Sequence, residues 1–307
     1  MEALLIPFLD ATIRTATPLA YAALGELVTE RSGVINIGME GIIITGCLGG
    51  LVAAGAGGAA MGFLGGALAG AGMAAIFAFF VLRLRADAII TGTALTLLGL
   101  GLTGTLYRGL FGIEGAALGT PSIAPIALPG LSSLPLVGPV FFTQTGMTYL
   151  LYLFVPALAW WLARTQAGLA LRAVGESRAA ALAAGLDVQR LRWGAILFGG
   201  AMGGLCGATL VLAQVGTFTE GMSAGRGFIA IAIVVLGRWR TVGTTLAALI
   251  FGGAFALQYL LQAAGWALPY HLFLALPYLL TLILLAALRG RAEAPAELAS
   301  QERWSRA

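Results

Sequence analysis

The sequence predicts an all-α, polytopic membrane protein with about eight to ten transmembrane helices. Three observations point there. Of the 307 residues, 59% are hydrophobic and only 10% charged, whereas soluble domains carry about 25% charged residues. The mean hydropathy is +0.95, and apolar runs near the ~20 residues needed to cross a hydrocarbon core fill most of the chain. Glycine, at 45 residues, recurs four apart at Gly58, Gly62, Gly66 and Gly70 and again at Gly199, Gly203 and Gly207. That spacing lets helices approach closely in lipid. Residues 1–290 read as a single transmembrane domain, and 291–307 as a short cytoplasmic tail.

Spans fall near 8–28, 38–58, 60–82, 88–107, 146–163, 193–214, 222–237, 243–263 and 268–288. On the first, Asp10 and Arg14 stand four apart and neutralise each other at the interface. A polar, glycine-rich break, ERSGVINIGMEG at 30–41, separates it from the second. The second and third spans carry the first glycine stripe, and Arg83 and Arg85 close the third. After the fourth comes a connection, 107–145, in which Pro121, Pro125, Pro129, Pro135 and Pro139 oppose a regular helix. It reads as an outward cap or lid. The fifth and sixth spans flank a polar island at 164–192 with five arginines. A second break, GTFTEGMSAGRG at 216–227, precedes a seventh span short enough to be half of a broken or re-entrant helix. Near the outer end of the ninth lies His271, the single histidine, read as an interfacial hydrogen-bonder. All arginines except Arg14, Arg108 and Arg226 fall on one side of this plan, which the positive-inside rule makes cytoplasmic. Nine spans put the N-terminus outside.

Composition excludes several activities. All 17 basic residues are arginine, so a phosphate loop that needs its lysine is excluded. Any ATP that drives this protein is hydrolysed elsewhere. The arginines mark span ends and call for no nucleic acid. Cys47 and Cys206 lie in apolar runs without metal-ligand spacing and read as small hydrophobes. The start, MEALLIPFLDATIR, has an acid where a cleaved signal has bases. Gly221 to Gly225 matches G-x-S-x-G, but a serine-hydrolase elbow needs a strand-to-helix turn and a triad acid. An intramembrane serine protease is the weakest alternative.

The chemistry is expected at the two breaks, since unwound backbone within a membrane lines a cavity or is buried in protein. Candidate pathway residues are Asn36, Met39, Glu40, Thr96, Thr217, Phe218, Glu220 and Met222. Asn36, Thr96 and Thr217 offer hydrogen bonds; Met39, Phe218 and Met222, with Ile35, offer apolar walls. The bland alternative leaves both breaks as interfacial loops with their acids in headgroup water. An ion-coupled transporter would bury ionisable groups deep in the bilayer, whereas the acids here cluster at breaks and ends. In the polar island, Ser177 caps a helix over 178–184, Gly185 stops it and Asp187 caps the next. Two turns is about 10 Å, a knob whose exposed alanines and leucine suit a partner's cleft.

These stretches resemble the permease subunits of ATP-binding-cassette importers in the branched-chain amino acid, ribose and nucleoside group, most of all bacterial general nucleoside importer permeases. ERSGVINIGMEG, ADAIITGTALTLLGLGLT, GLALRAVGESRAAALAAGLDV, GMSAGRGFIAIAIVVLGRW, FGGAFALQ and LPYLLTLILL carry the likeness over nearly the whole chain. The resemblance implies a multi-pass permease of the bacterial inner membrane that passes nucleosides, purine nucleosides first; simple sugars such as ribose or branched-chain amino acids are the alternative. It implies a cytoplasmic coupling helix about 176–185, with Glu176, Ser177, Ala179, Ala180, Leu182 and Gly185 meeting the ATPase. It further implies a second homologous permease in a heterodimer, a substrate-binding lipoprotein, and ATP and Mg held by the ATPase, with no cofactor on this chain. Thr96 departs from the pattern, standing where TGTALN-type relatives have asparagine.

Overall fold

In the computed structural model, residues 2–112, 123–135, 137–263 and 294–300 are described, with isolated positions between 275 and 286. The last expected span, His271 and the arginines from Arg289 onward lie almost wholly outside them. Eleven helices account for nearly all regular structure among the described residues: α1 Glu2–Arg31, α2 Met39–Ala78, α3 Ala88–Phe111, α4 Val137–Phe141, α5 Gly146–Arg164, α6 Gln166–Glu176, α7 Arg178–Ala183, α8 Val188–Thr209, α9 Arg226–Leu236, α10 Thr241–Ala263 and α11 Ala296–Ser300. The exceptions are two π-helical extensions, Phe79–Arg83 after α2 and Leu210–Val215 after α8, and a short antiparallel pairing of Ile126–Ala127 with Thr143–Gln144. Among the described residues five helices, α2, α3, α5, α8 and α10, are long and apolar enough to cross a membrane.

The second and third spans are one element folded back on itself. Non-helical backbone at Gly57 and Gly58 breaks α2, and Gly58 takes φ 76 and ψ −173. That region is essentially open only to glycine. The halves then run side by side, Gly50 against Gly62 and Gly49 against Gly65. Gly58 thus turns the chain, while Gly62, Gly66 and Gly70 do the packing.

The first glycine stripe packs on α8, against a different face from the one that carries the second. A β-carbon on Gly46 would strike the backbone of Gly204, and one on Gly70 would strike Gly200 and Gly204. The stripe Gly199, Gly203 and Gly207 faces the other way, toward Gly25 of α1 and Met39, Ile42, Ile43 and Cys47 of α2. Helix α8 therefore sits between α1 and the two halves of α2 with almost no side chains between backbones. This maximises dispersion contacts where lipid offers no hydrophobic drive. Helix α1 is the other central element, packed on α8, α9 and α10; from Leu19 to Val28 it is buried almost throughout.

Side-chain contacts sort the connections into two ends. At one, Arg31 donates to the Trp239 carbonyl, Gln189 to that of Leu82 and Arg192 to that of Ser32. This end gathers the arginine-rich connections. At the other, Asp10 accepts from Gln144, Gln214 donates to the Arg14 carbonyl, and Ile123 donates to that of Leu212. Asp10 and Arg14 also lie 4.0 Å apart. The proline-spaced connection folds at this second end; its Pro139 is accommodated in the single turn of α4, where a missing N–H costs little.

Candidate functional site

After Arg31 the chain does not leave the bundle. Ser32 closes a turn on the Thr29 carbonyl and Gly33 takes φ 83. The strand-like stretch that follows turns back along α1 until the Asn36 N–H reaches the Glu26 carboxylate at 2.8 Å. Glu26 lies five residues before the end of α1, about 7.5 Å into the bundle. Asn36 Oδ1 accepts from Gly38 N–H at 3.0 Å, an Asx turn that launches α2. Helix α2 thus begins inside the bundle, as a re-entrant start.

The second break does the same from the other end. Gly216, Gly221 and Gly225 all have positive φ, and Ala224 joins them at φ 45. The chain turns inward after α8 and begins α9 at Arg226. Helix α9 has 11 residues, about 16 Å, half a crossing. The short seventh span is therefore a half helix.

The two starts meet at Glu40. Its carboxylate accepts from Gly225 N–H at 2.8 Å and from Gly227 N–H at 2.7 Å, so an acid in the first turn of α2 caps α9. The positive end of a helix favours the negative charge, and two otherwise unpaired N–H groups are satisfied. Gly227 is required here, because a β-carbon would run into the Glu40 backbone. Arg226 turns its guanidinium onto the Met222 and Ser223 carbonyls and lies 5.4 Å from the Phe255 ring centroid.

The eight pathway candidates divide into two groups along α3. Asn36, Met39, Glu40 and Thr96 come together deep in the bundle, where Thr96 packs on Gly41. Met39 is fully buried, with its sulfur toward Gly203 of α8. Near the C-terminal end of α3, Phe218 is buried against Tyr107, centroids 4.9 Å apart. Glu220 there is clasped by Arg108 at 2.7 and 2.8 Å. This pair is exposed, and the Arg108 hydrogen bonds hold the Glu220 carboxyl below the ordinary range. Thr217 and Met222 are half-buried. From Thr96 to Gly104, which faces Glu220, the rise along α3 is about 12 Å, so the two groups occupy different depths.

Two features escaped the sequence. Glu26 is wholly buried in α1, against the expectation that acids stay at breaks and ends; only its spacing of four from Glu30 hinted at a shared face. Glu30, also buried, accepts the Trp239 indole N–H, while the Arg31 guanidinium donates twice to the Trp239 carbonyl, at 2.8 and 2.6 Å. Together they hold Arg238 and Trp239 at φ 55 and 51, a conformation rarely kept by non-glycine residues. The buried acids act here as acceptors that fasten the breaks. Around the deep group, Asn36 Nδ2, Thr96 Oγ1 and Ser223 Oγ are buried with no protein partner, and so are the second carboxylate oxygens of Glu26 and Glu30. Ser223 sits in a turn with no strand before it, unlike a hydrolase elbow. Cys47 and Cys206 are buried free thiols. Among the described residues no group of three His, Cys, Asp or Glu side chains could hold a metal.

The polar island folds as its caps predict. Ser177 Oγ accepts from Ala180 N–H, Gly185 takes φ 78 and Asp187 caps α8 at Arg190. Helix α7 spans Arg178–Ala183 and is anchored by Ala181, packed with Val174 and Val188. Ala179, Ala180, Leu182 and Gly185 are exposed. Glu176, also exposed, lies 4.0 Å from Arg31. The knob stands at the arginine-rich end.

Residues 8–285 match the family described as the branched-chain amino acid transport system permease component. A protein provisionally named a glucose ABC transporter permease in Haloferax volcanii is 40% identical over 262 residues, 85% of this chain and 79% of its own. A nucleoside ABC transporter permease of Lactococcus lactis is 36% identical over 290 residues, 91% of each chain. A guanosine ABC transporter permease of Bacillus subtilis is 33% identical over 295 residues, 93% of this chain and 92% of its own. No solved structure matches the chain significantly.

Proposed function

The chain belongs to the branched-chain amino acid transport permease family, and from that premise we propose that it carries nucleosides, purine nucleosides first, across the membrane. As a permease of the ATP-binding-cassette class it is a transport subunit, not an enzyme, and works with an ATPase and a substrate-binding protein. The observation that carries the substrate reading is end-to-end likeness to nucleoside and guanosine permeases. Site chemistry supports it. Glu40 and Glu220 are both engaged, and the neutral groups Asn36 Nδ2, Thr96 Oγ1 and Ser223 Oγ are without protein partners, as is one oxygen of the buried Glu26 beside Asn36. A neutral amphipathic ligand suits a few such hydrogen-bonding groups beside apolar walls. A zwitterionic amino acid would ask for matched charges.

In this reading α7 is the coupling helix, and Ala179, Ala180 and Leu182 seat in the ATPase, which holds ATP and Mg. A second, related permease completes the pore as a heterodimer, and the binding protein is a lipoprotein. A simple sugar is the second substrate reading, favoured by the Haloferax relative. Uptake of labelled guanosine and adenosine, in cells carrying all the subunits with and without this gene, tests the proposal. Loss of nucleoside uptake on deletion is expected. Intact nucleoside uptake with abolished ribose or glucose uptake overturns the substrate and leaves the permease.

A further inference from the structure

The last described element has a place that its reading as a plain tail did not foresee. Helix α11 packs on α6, and Leu298 is packed against the main core. Glu297 Oε1 accepts from the backbone N–H of Arg178, the first residue of α7, at 2.9 Å. Its Oε2 lies 3.4 Å from Arg192 Nη2, and the Arg192 Nε donates to the Ser32 carbonyl at 3.1 Å. The side chains of Arg192 and Glu297 are only 12% and 17% exposed. Glu297 also packs on Gly33, where a β-carbon would strike its own. One carboxylate thus joins the start of α7, the base of α8 and the first residues of the re-entrant segment that leads to Asn36. These contacts border a cavity of about 480 Å³ lined by Val34, Ile35, Arg178, Leu182, Arg192 and Glu297.

We propose that Glu297 is a positioning residue of the coupling machinery, tying α7 through Arg192 and Ser32 to the re-entrant start of α2. This rests on the reading of α7 as the coupling helix. A displacement of α7 by the ATPase pulls on Glu297, Glu297 on Arg192, and Arg192 on the backbone at 32–33, four residues from Asn36. Partial burial makes the link stiff, since a charge pair that loses its partner there is strongly disfavoured.

The test uses the complete transporter in membranes, with Ile35→Cys as the probe. Ile35 is half-buried beside the cavity, and the two native thiols are buried. Its rate of labelling by a membrane-permeant maleimide is measured with and without a non-hydrolysable ATP analogue, each complex normalised to co-purified ATPase. With native Glu297 the analogue is expected to change the rate at least fivefold. Glu297→Ala should cut that response below twofold. Glu297→Gln, which keeps an acceptor for Arg178 N–H but no charge for Arg192, should fall between, and it decides the matter if the alanine variant does not assemble. A full response in either assembled variant overturns the proposal, as does a native complex with no response at position 35. Ala180→Asp separates the two readings. If it keeps the full response, α7 is not the coupling element and both fail; if it abolishes the response while Glu297→Ala preserves it, only the role of Glu297 fails.

Discussion

A carboxylate that accepts two backbone N–H groups of another helix fixes where that helix begins, and Glu40 does so for α9. Charge-assisted bonds of this kind contribute about 1.5–3 kcal/mol each. Glu40→Ala should therefore cost about 3 kcal/mol or more, and Glu40→Gln less, because an acceptor remains; thermal unfolding in detergent checks the order. Gly227→Ala attacks the same joint from the other side and should cost about 1–3 kcal/mol by overpacking. At the C-terminal end of α3, Arg108 lowers the Glu220 carboxyl. A depressed acid keeps its pair above the ordinary carboxylate range and loses it only as pH falls through the lowered value. The labelling rate of a cysteine at position 219, taken relative to a free thiol at the same pH because only the thiolate reacts, should accordingly stay flat from about pH 7 down to the usual glutamate value near 4.3 and rise below it. Glu220→Gln should raise this ratio across the whole range. A rise beginning at pH 6 in the native protein would show that the pair does not hold the loop.

At the scale of elements, α7 was legible because its caps are local, although its first N–H is taken by Glu297 from far along the chain. Ser177 caps it, Gly185 stops it and Asp187 starts the next helix, each within a few residues of what it satisfies. Its prediction belongs here too. Ala180→Asp places an unpaired charge on the exposed face of the knob and should cost several kcal/mol of docking in a desolvated cleft, with lost uptake, normal insertion and poor recovery of the ATPase. Equal recovery and uptake would make α7 a plain connector. The breaks were legible in position, since glycine and polar residues interrupt an apolar pattern. Their wiring was not: Glu40 meets Gly225 and Gly227, and Glu26 meets Asn36, through contacts that only the assembled bundle creates. Periodicity likewise marked Gly62, Gly66 and Gly70 as a packing face, but could not separate them from Gly58, whose φ of 76 serves a turn.

For the molecule as a whole, the side-chain contacts that gather 31–33, 82–85, 176–192 and 238–240 at one end agree with the arginine bias. A cysteine at position 180 should be shielded from an impermeant reagent in intact cells, and one at position 130 should react. Labelling at 180 in intact cells would invert the topology. The reversal at Gly57 and Gly58 carries a consequence for biogenesis. A turn that short gives the two arms of α2 no polar loop to hold at the surface between them. The first arm covers its glycine face only once the second is made, so the arms are expected to partition into lipid as a single helical hairpin. A chain halted just after Gly58 would present an apolar arm with its glycine face uncovered, a natural target for membrane quality control.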